Sequence, residues 1–104
     1  MHTVIETHVF KRCADEIWSA DERLAFIEWL ANNALAGDVI PGSGGLRKVR
    51  WSRPGMGKRG GARVIYYNLL EGGRIYLLIA YTKAKFDNLP PAFLSQLREE
   101  VENG

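Results

Sequence analysis

Three strand-length segments follow one another in the middle of this chain, and the short links between them restrict the fold more than any other feature. Residues 46–52, 62–70 and 74–82 read as strands, and residues 75–81 form an unbroken apolar run. Glu71-Gly72-Gly73 is short enough for a hairpin turn only. Residues 53–61 make a basic, glycine-rich loop. Parallel neighbours would need a crossover of about a dozen residues, so these segments imply an antiparallel sheet. The apolar segment 74–82 belongs at its centre.

The flanks supply the remaining elements. Residues 3–9 are β-branched and alternate weakly, which predicts a first strand. A helical pattern follows from about Lys11. Ser19 and Glu22 fit a capping box. Leu24, Ile27, Leu30, Ala31 and Ala34 then recur at helical spacing. Gly37 is expected to stop that helix in a left-handed turn. Pro90 and Pro91 open a last helix with Leu94, Leu97 and Val101 as its stripe. The expected order is β-α-α-β-β-β-α, an α+β fold with helices packed on one face of a small antiparallel sheet. At 104 residues the chain is expected to be one domain, 1–104.

Composition narrows the function classes. The single cysteine, Cys13, forms no internal disulfide and no multi-cysteine zinc site. The seven-residue apolar run is far short of a membrane span, which needs roughly 20. The N-terminus has neither a basic n-region nor an apolar h-region, so the expected compartment is the cytoplasm. No metal or cofactor is expected. Gly55 to Gly60 matches G-x-G-x-x-G but precedes a strand, whereas a dinucleotide site needs a helix there.

Charge is the strongest functional signal. The net charge of +2 conceals ten Lys/Arg against one acid between residues 46 and 85, or +9. Residues 1–45 carry −4 and residues 86–104 carry −3. A polyanion is the natural partner of such a middle. Strand parity puts Lys48 and Arg50 on one face and Val49 and Trp51 on the other. Arg63 on the next strand can stand beside the first pair, and Lys83 and Lys85 leave the end of the strand after that. Cations gathered on one face would bind a phosphodiester backbone, or stabilise the charge of its cleavage transition state. Arg47, Arg53, Lys58 and Arg59 extend the basic region. Tyr67 and Tyr81 are candidates for stacking on bases.

These residues fall in two runs, G-D-x-I-x-G-x-G-G-x-R-K-x-R over 37–50 and K-R-G-G-x-R-V-I-Y-Y over 58–67, followed by L-I-A-Y-T-K over 78–83. In them the sequence resembles the RelE/HigB-type toxins of bacterial type II toxin–antitoxin systems. The resemblance implies a compact sheet with a cationic face. It implies a metal-independent, ribosome-dependent endoribonuclease that cleaves mRNA through attack by the substrate's own 2′-hydroxyl. It places the catalytic cations on Lys48, Arg50, Arg63 and Lys83 (or Lys85). The implied partners are the ribosome, mRNA and a cognate antitoxin, expected to be a helix-turn-helix protein. Several relatives carry a C-terminal Tyr or His for proton transfer, and here none follows Tyr81. Lys48 or Tyr67 is therefore the expected proton acceptor. The charge map alone favours a non-catalytic nucleic-acid-binding module; the other readings are a subunit that binds an acidic protein and a catalytically degenerate toxin that acts through protein interaction.

Overall fold

The computed structural model describes residues 2–51, 61–69, 72–82 and 89–103. The elements are β1 (Thr3–Glu6), α1 (His8–Ile17), α2 (Ala20–Ala31), β2 (Asp38–Val39), β3 (Arg47–Trp51), β4 (Ala62–Leu69), β5 (Arg74–Thr82) and α3 (Pro91–Asn103). The sheet order is β1-β5-β4-β3-β2. The α+β class is as expected, and β5 lies inside the sheet. Three features of the architecture differ from the sequence reading. Strand β1 runs parallel to β5, pairing Thr3 with Arg74 through Glu6 with Leu77. A two-residue strand, β2, adds to the far edge through Asp38–Lys48 and Val39–Arg47 pairs. The helices also cover both faces of the sheet.

The two faces follow from strand alternation. On one face, Ala62, Val64 and Tyr66 of β4 and Val49 and Trp51 of β3 meet Phe10, Ala14, Trp18, Phe26 and Leu30 of the first two helices and the turn between them. Aromatic rings dominate this layer: Phe26 lies 5.2 Å from Trp18 and 5.5 Å from Trp51, centroid to centroid. On the other face, Leu46, Ile65, Leu78, Ile79 and Tyr81 are covered by Leu94 and Leu97 of α3. A strand as apolar as β5 buries side chains in both directions and so needs a helix over each. A β-bulge helps. Ile65 pairs with Ile79 but Tyr66 pairs with Leu77, so Leu78 is the extra residue. Leu78 and Ile79 consequently both join the α3 side.

Local chemistry sets the element ends. The expected strand over 3–9 stops at Glu6 because Thr7 caps α1, its Oγ1 accepting from Phe10 N–H at 3.2 Å. The same hydroxyl donates to Leu77 O at 2.8 Å, fixing the start of α1 against β5. Ser19 caps α2 as expected and accepts from Glu22 N–H, and its hydroxyl donates to the Glu22 carboxylate. Arg23 joins β1, α1 and α2 by pairing with Glu6 and, at 2.9 Å, with Asp15.

Gly37 does not stop α2. That helix ends at Ala31, and Asn32 and Asn33 donate their side-chain amides to the carbonyls of Glu28 and Trp29. Gly37 is needed for space. A Cβ there would stand 2.8 Å from the Tyr66 hydroxyl and 2.9 Å from Lys48 O. The buried Tyr66 hydroxyl donates to Ala34 O and accepts from Gly37 N–H, both at 2.9 Å. Asn68 also donates to Ala34 O, and Arg47 donates to Gly37 O at 2.6 Å.

Burial raises the pKa of Tyr66 above its ordinary value, chiefly by desolvation, with the Gly37 hydrogen bond and Arg47 opposing. An unfolded tyrosine ionises near pH ~10. The stabilisation linked to its protonated form is complete below that pH and lost as pH rises through the higher folded value. Replacing Tyr66 with Phe orphans the buried Gly37 N–H, an expected loss of about 1–3 kcal/mol at neutral pH in urea unfolding. The variant should also lose stability less steeply than the parent above pH ~10. An unchanged urea midpoint would contradict this role.

Candidate nucleic-acid interface

The candidate face is set by the pairing of β3 with β4. Arg50 pairs directly with Arg63, and Arg63 pairs with Tyr81 on β5. Lys48 pairs with Ile65, which pairs with Ile79. Directly opposed residues share a face with Cβ atoms about 5 Å apart. Lys48, Arg50 and Arg63 therefore stand together on the α3 side of the sheet. Their burial differs: Arg50 is exposed, and Lys48 and Arg63 are half-buried. Tyr81 at the end of the row is only 2% exposed. Its pKa is raised by burial, with Arg63 opposing the shift. So enclosed a ring offers no platform for a base, which corrects the stacking role expected of Tyr81.

Two other expected residues fall elsewhere. Arg47 projects to the opposite face, as its alternation with Lys48 requires, and is held by Gly37 O. It serves the fold there and is not beside Lys48 and Arg50. Tyr67 shares the face of Arg63 but lies four residues further along β4, about 13 Å away. There it pairs with Tyr76, and the Arg98 guanidinium lies 5.7 Å from its ring centroid. Between the two expected proton acceptors, Lys48 stands next to the arginines and Tyr67 does not. Arg53, Lys58, Arg59, Lys83 and Lys85 lie outside the described residues.

Arg98 itself was not singled out from sequence. Its signal is its position: with Leu94, Leu97 and Val101 it completes an i, i+3, i+4, i+7 stripe, and it is the single base after Lys85. Among the described residues, no three His, Cys, Asp or Glu side chains come together as a metal site. Among them, too, no helix is long and apolar enough to cross a membrane.

Two arginines facing each other across a strand pair repel, which opposes folding. The arrangement becomes favourable when an anion lies between them.

No protein-family model matches the sequence. Among solved structures, the chain is similar to a double mutant of the E. coli toxin RelE in its free state, with a TM-score of 0.58 at 11% identity. The match covers 93% of this chain and 96% of that one. This chain has the RelE fold.

Arg50→Thr removes the repulsion and leaves a good strand former. It should stabilise the protein by about 0.5 kcal/mol in low-salt urea unfolding, an advantage that shrinks as salt screens the parent pair. Destabilisation by Arg50→Thr would mean that the arginine serves the fold.

Proposed function

We propose that residues 1–104 form the toxin of a type II toxin–antitoxin pair, an endoribonuclease that cleaves mRNA on the ribosome in the cytoplasm. The observation that carries this reading is the Arg50–Arg63 pair, opposed on one sheet face with Lys48 in the adjacent row. The RelE fold and the two sequence runs over 37–50 and 58–67 support it.

In the proposed reaction, Arg50 and Arg63 hold the scissile phosphodiester and offset the charge that builds on its oxygens in the transition state. The substrate's 2′-hydroxyl oxygen bonds to phosphorus, and the bond from phosphorus to the 5′-oxygen breaks. Lys48, acting as its free amine, accepts the hydroxyl proton, and the departing 5′-oxygen takes a proton from solvent. The products are a cyclic phosphate and a 5′-hydroxyl end. Lys83 (or Lys85), which follows β5 in sequence, is assigned to the same phosphate, with Arg53, Lys58 and Arg59 binding flanking RNA. The ribosome supplies the message in an extended state. A cognate antitoxin, proposed to be a helix-turn-helix protein, silences the toxin.

Expression of the chain alone from a tightly repressed promoter should arrest growth. Arg63→Ala should relieve the arrest while the purified variant keeps its melting temperature, and Lys48→Ala should relieve it likewise. Full arrest by a folded Arg63→Ala variant would remove the arginine from the mechanism. Graded, additive losses across all the basic residues would favour the non-catalytic binding module instead.

A further inference from the structure

A second group of polar atoms lies on the α3 face, beyond Lys48 along the line of β3. The glycine-rich connection enters β3 through Gly42, Ser43, Gly44 and Gly45, and the three glycines have φ of +73°, +79° and +103°. The buried Ser43 hydroxyl accepts from Leu46 N–H at 3.0 Å and donates to Ile40 O at 2.6 Å, which holds the loop in its turn. The Ser43 and Leu46 amides are bonded within the loop, so an anion there would draw on the glycine amides, which in tight turns can form concavities that suit anions. Across from the loop lies Arg98 of α3. A Cβ on Gly44 would meet the Arg98 Nε at 2.8 Å, so the glycine lets the guanidinium lie against the backbone. Tyr67 supports the same guanidinium from the sheet, with Gly45 also close to its ring. An open cavity of about 240 Å³ lies between the loop and the helix, lined by Gly42, Ser43, Gly44, Ser95, Arg98 and Glu99.

The position of this cavity gives it meaning. Leu46, Lys48 and Arg50 share the α3 face of β3, and the loop joins β3 directly before Leu46. Four residues of strand separate Leu46 from Arg50, about 13 Å. The order along this edge is thus loop and Arg98, then Lys48, then Arg50 with Arg63. A phosphodiester chain has its charges spaced in a line, and a line of cations fits it better than a cluster does. Glu99 lines the same cavity and opposes an anion there, so Arg98 and the loop have to outweigh its carboxylate.

We infer that Arg98 and the glycine loop 42–45 bind a second phosphate of the RNA, displaced along β3 from the one held by Arg50 and Arg63. This rests on the reading of the basic face as an RNA site. Arg98 is then a positioning residue that sets the register of the strand over Lys48, and Tyr67 orients it by a cation–π contact.

The test is fluorescence anisotropy of single-stranded RNA on the full chain, with a two-nucleotide and an eight-nucleotide probe, across a salt series. Arg98→Met should weaken the longer probe several-fold at low salt and lower its slope of log K against log salt by about 0.7, the share of one phosphate on a single strand. The shorter probe should be unaffected, and Arg98→Lys should keep the slope of the parent. A purely structural Arg98 would move the melting temperature and leave the slope alone. Should Arg98→Met fail to fold, Ser95→Glu on the exposed side of the same cavity should weaken the longer probe selectively. An unchanged slope in the variant, beside intact message cleavage by the parent, overturns this inference alone. A parent chain that neither binds RNA nor cleaves messages overturns it together with the reading beneath it.

Discussion

The Tyr66 hydroxyl, buried between Ala34 O and Gly37 N–H, is the contact on which the arrangement of this molecule depends. It reaches from the second longest strand to the connection that follows α2, more than thirty positions away in sequence. Through it the chain leaves the helical layer and turns into β2 and the glycine loop. Arg47 adds a bond to the same connection, and the lack of a side chain at Gly37 lets it lie against Lys48 O. The strand carrying Lys48 and Arg50 is thereby held in register with the strand carrying Arg63. A neutral aromatic ring thus supports the cationic face from behind, and its burial on the apolar side of the sheet holds it there.

That support matters because the face opposes its own folding. Arginines at directly paired positions repel, and a half-buried lysine beside them adds to the field. Natural chains place such local conflicts where a partner resolves them. Here the conflict lies at the end of the sheet where β3 and β5 stop and β4 begins. The other face of β3 carries Val49 and Trp51 against the aromatic layer, with Arg47 bonded to Gly37 O, so alternation puts Lys48 and Arg50 on the face opposite the aromatic core. In the proposed enzyme the resolving partner is the phosphodiester.

Much of this was legible from sequence because strand alternation is a local rule. The bounds of β5, the Ser19 cap and the shared side of Lys48, Arg50 and Arg63 all follow from it or from single-residue chemistry. Other features depend on partners far along the chain. The parallel pairing of β1 with β5 joins segments some seventy residues apart, and no local pattern announces it. Thr7 reads as a β-former until its hydroxyl is seen capping α1 and bonding Leu77 O. Gly37 fits a helix stop by residue type, yet its place is fixed by a tyrosine on another strand. The bulge at Leu78 breaks the alternation within an all-apolar run, where either parity looks equally good. Tyr81 shows the same limit: its neighbours in sequence do not reveal how completely it is buried. Arg98 stands out only as a charge on an apolar stripe, a signal that acquires meaning once the glycine loop lies beside it.

The central claim is that the opposed arginines serve RNA cleavage. The most direct measurement is to map RNA 5′ ends, with their phosphorylation state, in cells expressing the chain and in cells expressing a folded Arg50→Ala, Arg63→Ala double variant. The account predicts new 5′-hydroxyl ends confined to translated messages in the first culture and their absence in the second. Identical end profiles in the two cultures, from comparable amounts of folded protein, would contradict it.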